Sequence, residues 1–228
     1  MSIFYLSEEN VFPSPNFASQ AGLVAVGGDL SAERLLLAYH MGIFPWYNEQ
    51  EPILWWSPDP RLVLYPGEIR ISRTLKKILK KQVFSITIDM AFEEVINLCA
   101  KVRVENNEKT WISSDMIKSY CRLHKMGFAH SVEAWYNGEL VGGFYGVSLG
   151  RCFCGESMFT LISNASKAAL AVFVKYLEKM SFDFIDCQVA TDHLKRFGAR
   201  EIPRYVYLKQ LEKTLKMPSL CGKWNYLQ

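Results

Sequence analysis

Two polar residues lie where the sequence otherwise predicts a buried strand. Residues 182–189 are short and almost continuously apolar, which is typical of a strand covered on both faces. Within this segment Asp186 and Gln188 are two residues apart, so in a strand their side chains leave the same face. Left unpaired in an apolar interior, each would cost on the order of a few kcal/mol. They therefore either bond each other and a neighbour, as a structural pair at a strand end, or face a wet catalytic site.

A third candidate for acid–base chemistry is Glu156. Residues 151–156 alternate like a strand that ends at 155–157, and a strand end is a common location for a site residue. A solvated turn carboxylate is the alternative. Ser157 does not stand in a G-x-S-x-G motif, so no nucleophile elbow is predicted, and the adjacent pair Asp192-His193 favours a short capped helix over a catalytic dyad.

Two further features suit a nucleic acid. Trp46 and Trp111 lie in short non-regular stretches beside polar residues, and an exposed aromatic face stacks a nucleobase with about 1–3 kcal/mol, although core packing is the default for a tryptophan. Six positive charges lie within residues 70–81, and on a helix four of them, at 73, 76, 77 and 80, share one face. The five predicted to contact phosphates are Arg70, Arg73, Lys76, Lys77 and Lys80; a solvated face is the alternative interpretation.

The elements that must position these residues follow two different patterns. Residues 1–61 are rich in proline and contain one predicted helix, at 31–41, with Ser31 as N-cap and Gly42 as stop. Trp46, Trp55 and Trp56 are predicted in non-regular chain. Because exposing three tryptophan side chains to water is unfavourable, this segment must pack against another part of the protein. We therefore expect a small N-terminal domain over residues 1–61.

Residues 62–228 are predicted to form a second, larger domain of regular elements. Strands are predicted at 61–65, 84–88, 130–136, 139–149, 151–156 and 182–189, with a type I′ turn at Asn137-Gly138. Helices are predicted at 72–81, 91–103, 114–126, after a cap at Asn164 or Ser166, and at 205–217. The order β-α-α-β-β-β-α-β predicts an α+β domain with a mostly antiparallel central sheet, as in the GCN5-related acetyltransferases.

The totals exclude several classes of protein. The chain has 228 residues, 50% hydrophobic and 21% charged, with a net charge of +3, so it is globular and its charge alone does not indicate a nucleic-acid partner. Its six cysteines form no CxxC pair and have no histidine at zinc spacing, which predicts free thiols and no metal. No apolar run is long enough for a membrane span and no signal peptide is visible, so a cytoplasmic protein is expected. There is neither a P-loop nor the [QR]-x-x-G-x-[GA] loop that holds acetyl-CoA in acetyltransferases, so no cofactor is predicted.

Several stretches together resemble the leucyl/phenylalanyl-tRNA-protein transferases. They are GGDLS at 27–31, LLLAYHMGIFPWY at 35–47, ILWWSPDPR at 53–61, TWIS at 110–113, FCGESMF at 153–159, NASKAAL at 164–170, IDCQV at 185–189 and EIPR at 201–204. The chain departs from the family pattern in a threonine at 160, in SSD at 113–115 and in TDHLKRFGAR at 191–200.

The resemblance implies that Leu or Phe, and Met weakly, is moved from aminoacyl-tRNA to the N-terminal Arg or Lys of a protein, which marks that protein for N-end-rule degradation. It implies that Gln188, oriented by Asp186, draws the proton from the attacking amine, with Glu156 as the third catalytic candidate. It also implies that Trp46 and Trp111 hold the terminal adenosine, and that the side-chain pocket contains Phe153, Met158, Leu170 and Phe173. Because Phe153 and Met158 leave opposite faces of a regular strand, a bulge or strand end near Gly155 is required for both to line one pocket.

The expected partners are therefore charged tRNA and a protein or peptide, bound by a monomer without a membrane. An activated aminoacyl ester needs no ATP, metal or covalent nucleophile, only alignment, proton removal and a stabilised oxyanion. Two other functions stay open at this point: a small-molecule acetyltransferase, and an RNA-binding module without catalysis.

Overall fold

Two sheets of unequal size organise the protein, whose computed structural model describes residues 3–48, 50–105 and 110–224. The smaller sheet contains β1 (Tyr5–Leu6), β2 (Leu23–Gly27), β3 (Phe44–Pro45) and β4 (Leu54–Trp56) in the order β1-β2-β4-β3. Helix α1 (Ala32–His40) joins β2 to β3, and Ser31 caps it by accepting a hydrogen bond from the Arg34 N–H. The predicted helix at 31–41 is thus confirmed.

The prediction that Trp55 and Trp56 lie in non-regular chain is wrong, because both belong to β4. Trp55 is fully buried, and its indole Nε1 donates to the Gly27 carbonyl at 2.9 Å. The four strands escape sequence reasoning because they are only two to five residues long, too short for alternation to be visible.

The larger sheet has seven strands in the order β11-β5-β10-β9-β8-β7-β6. All neighbouring pairs are antiparallel except β9 and β10, which confirms the predicted α+β class and the mostly antiparallel sheet. The elements follow in chain order as β5 (Arg61–Leu64), α2 (Arg73–Lys80), β6 (Ser85–Ile88), α3 (Phe92–Glu105), α4 (Ser114–Lys125), β7 (Ala129–Tyr136), β8 (Glu139–Leu149), β9 (Cys152–Thr160), α5 (Ala165–Lys179), β10 (Phe184–Gln188), α6 (Asp192–Arg196), β11 (Arg200–Ile202) and α7 (Arg204–Thr214).

Two apolar cores cover the faces of this sheet. One contains residues of α3, α4 and α7 together with α1 and Trp55, so the smaller sheet packs on the larger one through a continuous core. The other contains the apolar face of α5 together with Leu75 of α2 and Trp224 near the end of the described chain. The division into two domains at residue 61 stays a prediction.

Two irregularities interrupt the centre of the larger sheet, and both fall on predicted site residues. In β9 the register passes from Gly146 opposite Gly155 to Tyr145 opposite Ser157, so Glu156 is the extra residue of a β-bulge. Strand β9 therefore continues to Thr160, and the prediction that it ends at 155–157 is wrong, because the bulge breaks the alternation on which the prediction rested. In β10 the register shifts between Asp186 and Gln188, and Gln188 adopts a positive φ of 59°.

Other local predictions meet mixed outcomes. Asn137 and Gly138 have φ values of 51° and 85°, as the predicted type I′ turn requires. Asn164 occupies the N-cap position of α5 but its side chain does not cap the helix, and Ser166 lies inside it. The six cysteines are free thiols. None of the helices in the described ranges is long and apolar enough to cross a membrane.

Candidate active site

A cavity of about 510 Å³ brings most of the predicted site residues together. Its lining includes Trp46, Trp111, Phe153, Glu156, Met158, Leu170, Phe173 and Gln188, from strands, a helix and connecting segments far apart in the chain. Asp186 and the cations at residues 70–80 do not line it. Most of the predicted site residues therefore share one cavity, and Asp186 is buried next to the lining residues Ile185 and Cys187.

One end of the cavity is an apolar compartment built from aromatic rings. The Phe153 and Phe173 rings lie 4.7 Å apart at an interplanar angle of 66°, and Phe144 packs on Phe173 at 5.3 Å. The Phe153 ring lies across Gly146, where a Cβ atom would be 2.6 Å from the ring, so only glycine leaves room for it. Because the β9 bulge reverses the alternation, Phe153 and Met158 face the same side, as a shared pocket requires.

Trp224 backs this compartment from outside the cavity. Its ring lies 6.3 Å from Phe173 and 6.5 Å from Phe153. The segment that carries it is anchored because the Trp224 N–H donates to Asp89 Oδ2 at 2.8 Å. Sequence reasoning missed Trp224, since a lone tryptophan so far along the chain from Phe153 gives no signal of contact.

The other end of the cavity is a rim of tryptophans. Trp46, which is 42% exposed, packs edge-to-face on Trp111 at 5.9 Å, and the Arg103 guanidinium lies 4.0 Å from the centre of the Trp111 ring. Trp56 fixes the backbone here by donating from Nε1 to the Trp46 carbonyl at 2.6 Å. An exposed indole at a cavity mouth is suited to stacking a nucleobase.

Glu156 lies between these two ends in a network of buried polar groups. Its Oε1 is 2.7 Å from the Tyr39 hydroxyl and accepts from Gln188 Nε2 at 2.7 Å, while its Oε2 is 3.0 Å from the Tyr120 hydroxyl. Burial raises the pKa of Glu156 to about 7, and the hydrogen bonds from Tyr39, Tyr120 and Gln188 oppose that rise. Burial and the neighbouring Glu156 raise the pKa of both tyrosines well above the ordinary value.

Asp186 is completely buried in an ion pair. Arg61 donates to it from Nε at 2.8 Å and from Nη2 at 2.6 Å, and the Tyr207 hydroxyl donates to Oδ2 at 2.8 Å. The Arg61 guanidinium is itself held between the rings of Phe44 and Tyr207, 4.8 and 4.6 Å from their centres. Although burial lowers the pKa of Arg61, the Asp186 carboxylate raises it above the ordinary value, so the buried guanidinium keeps its charge.

Asp186 reaches Gln188 through the backbone rather than through the side chain. Its Oδ1 accepts the Gln188 N–H at 2.9 Å, a turn in which an aspartate bonds the residue two positions later. This bond holds Gln188 at its positive φ, where a residue other than glycine is strained. The side-chain amide then donates to Glu156, so Asp186 and Glu156 together fix the backbone and the amide of Gln188.

Sequence reasoning missed the partners of these two carboxylates. Tyr39 in α1 and Tyr120 in α4 stand at ordinary apolar positions of their helices and are typical of core residues. Arg61 and Tyr207 are 146 residues apart, yet they meet at Asp186. The one signal in the sequence is an arginine at the start of the otherwise apolar predicted strand 61–65.

The predicted phosphate-binding side chains lie on the surface away from the cavity. Arg70, Arg73, Lys76, Lys77 and Lys80 are all exposed, while Leu75 of α2 points into the core. A second group of basic side chains, Lys167 and Arg196, lies beside His193. His193 lines the cavity; burial lowers its pKa, and Lys167 and Arg196 lower it further.

Arg70, just before α2, contacts the end of α6 through the backbone. Its backbone N–H donates to the Phe197 carbonyl at 2.8 Å, next to Arg196. Among the described residues no cluster of three or more His, Cys, Asp or Glu side chains could hold a metal ion.

Comparisons with known proteins point to one family over nearly the whole chain. Residues 63–212 match the family model described as leucyl/phenylalanyl-tRNA protein transferase, and residues 28–59 match the model of the N-terminal domain of the same family. A protein of this name from Desulfatibacillum aliphaticivorans is 58% identical over 225 residues, covering 99% of this chain and 97% of the relative. Another from Syntrophobacter fumaroxidans is 57% identical over 232 residues, covering 98% and 99%.

Solved structures resemble the chain only distantly. An aminoglycoside acetyltransferase from an uncultured soil sample, crystallised with sisomicin, has a TM-score of 0.38 at 12% identity, covering 65% of this chain and 99% of that one. The L-PGS protein of Bacillus licheniformis has a TM-score of 0.41 at 9% identity, covering 70% and 51%. Likenesses of this size support no conclusion about function.

Proposed function

This chain belongs to the leucyl/phenylalanyl-tRNA protein transferase family, and from that premise we propose that it transfers Leu or Phe, and Met more weakly, to the N-terminal Arg or Lys of a protein. The donor is the aminoacyl-tRNA, and the product is marked for N-end-rule degradation in the cytoplasm. One observation carries the proposal: a single cavity joins an apolar compartment, a tryptophan rim and the Glu156–Gln188 pair.

The donor's reacting end fits this cavity from one side to the other. The aminoacyl side chain enters the compartment of Phe153, Met158, Leu170 and Phe173, where each buried methylene contributes about 0.8 kcal/mol. The terminal adenosine stacks at Trp46 and Trp111. The ester bond between side chain and adenosine then lies between the two ends, beside Glu156 and Gln188.

The chemistry there is displacement of an ester by an amine. The neutral amine of the acceptor attacks the carbonyl carbon, the new C–N bond forms, the C–O bond to ribose breaks, and the amine proton ends on the departing ribose oxygen. An α-amine has a pKa of about 7.7–8.0, so a useful fraction is neutral near neutrality. A positioned acceptor can therefore assist the attack without holding the proton.

We assign Gln188 as that acceptor. Since its Nε2 donates to Glu156, its own Oε1 is directed away from Glu156 and is free to accept an N–H of the attacking amine. Asp186 does not reach the cavity, so we assign it as a positioning residue that holds the Gln188 backbone. The expectation that Asp186 is itself catalytic thus becomes a proposal about positioning.

The body of the tRNA is proposed to follow the two groups of cations. Arg70, Arg73, Lys76, Lys77 and Lys80 would neutralise phosphates distant from the amino acid. Lys167 and Arg196, which flank His193, lie nearer the cavity and would meet the acceptor end. The protein is proposed to act as a monomer.

The test is transfer of radiolabelled Phe from charged tRNA to a peptide that begins with Arg, compared with the same peptide beginning with Ala. We expect product with the Arg peptide only. Acetylation of small amines from acetyl-CoA would instead support an acetyltransferase. Equal binding of charged and uncharged tRNA without any peptide product would support an RNA-binding module.

A further inference from the structure

Three side chains at the centre of the site form a closed ring of hydrogen-bond contacts. The Tyr39 hydroxyl lies 2.5 Å from the Tyr120 hydroxyl and 2.7 Å from Glu156 Oε1, and the Tyr120 hydroxyl lies 3.0 Å from Glu156 Oε2. Each separation falls within the range of an O–H···O hydrogen bond. Both tyrosines are buried, at 2% and 0% exposure, so water cannot complete the ring from outside.

Counting protons shows what this ring requires. Each of the three contacts needs one hydrogen, and each tyrosine hydroxyl supplies one. An ionised carboxylate supplies none, so with Glu156 ionised two oxygens would face each other in a buried site with no hydrogen between them. Tyr39 and Tyr120 would then have to move apart. A neutral Glu156 supplies the third proton and satisfies every contact.

The protons then run in one direction. Glu156 Oε2 donates to the Tyr120 oxygen, Tyr120 donates to the Tyr39 oxygen, and Tyr39 donates to Glu156 Oε1. That oxygen is now the carbonyl oxygen of a carboxylic acid, with room for a second donor. Gln188 Nε2 is this donor, at 2.7 Å.

We propose that Glu156 is a neutral carboxylic acid in the resting protein and acts as a positioning residue, whose carbonyl oxygen turns the Gln188 amide so that Gln188 Oε1 faces the attacking amine. The protonation state stands on the ring geometry alone; the positioning role rests on the proposed function. This excludes Glu156 as the base for the amine, because a neutral carboxyl has no free charge to accept that proton.

The surroundings of Glu156 favour the neutral form. Tyr39 of α1 and Tyr120 of α4 face it directly, Tyr145 of β8 lies beyond Tyr120, and Asp186 of β10 lies close enough to disfavour a second negative charge. The charge of Asp186 is met by Arg61.

Two basic side chains share the cavity with Glu156. The Arg103 guanidinium lies over Trp111 at 4.0 Å, and His193 has a lowered pKa. Burial is the first cause of the raised pKa of Glu156, which agrees with the proton count.

Infrared difference spectroscopy tests the protonation without any substrate. The wild-type spectrum minus that of Glu156→Gln should contain the carbonyl stretch of a neutral carboxylic acid, sensitive to D2O, at pH values below about 7. The band should disappear as the pH rises through that value. If the difference spectra contain carboxylate bands alone, both below and above this pH, the proposal is overturned. Should the variant not fold, wild-type protein with isotope-labelled glutamate, measured at the two pH values, reveals the same band by its isotope shift.

A comparison of two variants tests the positioning role. In Glu156→Gln the new amide reproduces the neutral acid, since its oxygen accepts from Tyr39 and Gln188 and its N–H donates to Tyr120, whereas Glu156→Ala removes all three contacts. Single-turnover transfer should be about tenfold faster in Glu156→Gln than in Glu156→Ala. This factor corresponds to one buried hydrogen bond, the bond from the Gln188 amide to residue 156.

The pH profile separates this role from a general structural one. The rate of Glu156→Gln should no longer fall at pH values where the wild-type Glu156 ionises. Equal loss in both variants would show a base and overturn the positioning role. Because the infrared band needs neither tRNA nor peptide, its result is separate from any failure of the wild type to transfer Phe.

Discussion

Replacing Gln188 by Ala and by Gly separates the chemistry of its amide from the strain of its backbone. Both variants lose the amide carbonyl and the hydrogen bond to Glu156, and both keep the backbone N–H that Asp186 binds. They differ in one respect, because Gln188 has a φ of 59°, which glycine adopts freely and alanine does not.

The magnitudes follow from these two contributions. Positioned proton acceptors contribute about 10²-fold or more to a reaction, so single-turnover transfer should fall about 100-fold in both variants, or about 2.7 kcal/mol of transition-state stabilisation. A left-handed residue other than glycine costs about 1–2 kcal/mol, part of which glycine loses again through its freedom in the unfolded chain. We therefore expect Gln188→Gly to be about 1 kcal/mol more stable than Gln188→Ala, or about 2–4 °C in Tm.

The assay is single-turnover transfer at saturating donor, with thermal unfolding of the same samples. The assignment is supported if Gln188→Ala and Gln188→Gly have equally low transfer rates but Gln188→Gly has the higher Tm. Recovery of transfer in Gln188→Gly alone would refute the reasoning, because the backbone conformation rather than the amide would then limit the reaction. Full transfer in both variants would return Gln188 and Asp186 to a structural role.

Three further outcomes follow from the structure. Lys76→Glu with Lys77→Glu should weaken tRNA binding and reduce its salt dependence, whereas the same double change at Lys209 and Lys213 of α7 should do neither, and filter binding over a salt series decides between them. Transfer of Leu should exceed transfer of Ile from the same tRNA, since a methylene is worth only about 1–3 kcal/mol and discrimination must come from shape at Cβ; equal rates would contradict the assigned compartment. The free energy of unfolding should fall by about 3 kcal/mol as the pH rises from 4.5, the ordinary glutamate pKa, to about 7, the pKa of Glu156 in the folded protein. The reason is that a raised pKa stabilises the folded state only while Glu156 is protonated there. Denaturant titrations of Glu156→Gln should lack this component of the pH dependence.

Regular elements with a clear period could be predicted from the sequence. Helix α1, with its Ser31 cap, and the hairpin at Asn137-Gly138 could be predicted because the signals are local. Strand β11 and the smaller sheet could not, since each strand depends on pairing with distant chain rather than on its own pattern.

The site divides in the same way. Asp186, Gln188 and Glu156 could be found because polar residues in an apolar strand, or at its apparent end, are conspicuous. Tyr39 and Tyr120 could not, because a tyrosine on an apolar helix face is typical of a core residue, and only the tertiary structure brings both hydroxyls to one carboxylate.

The bulge in β9 makes this site depend on a count of residues as well as on their identities. Because side chains alternate along a strand, loss of the codon for Glu156 would restore regular pairing with β8 and leave Met158 opposite Phe144, on the same face as Phe153. The apolar compartment would keep both side chains, but no carboxylate would remain opposite the tyrosine pair. In genetic terms, an in-frame deletion of this one codon should remove the carboxylate and preserve the compartment, while the turn at Asn137-Gly138 should tolerate changes in length.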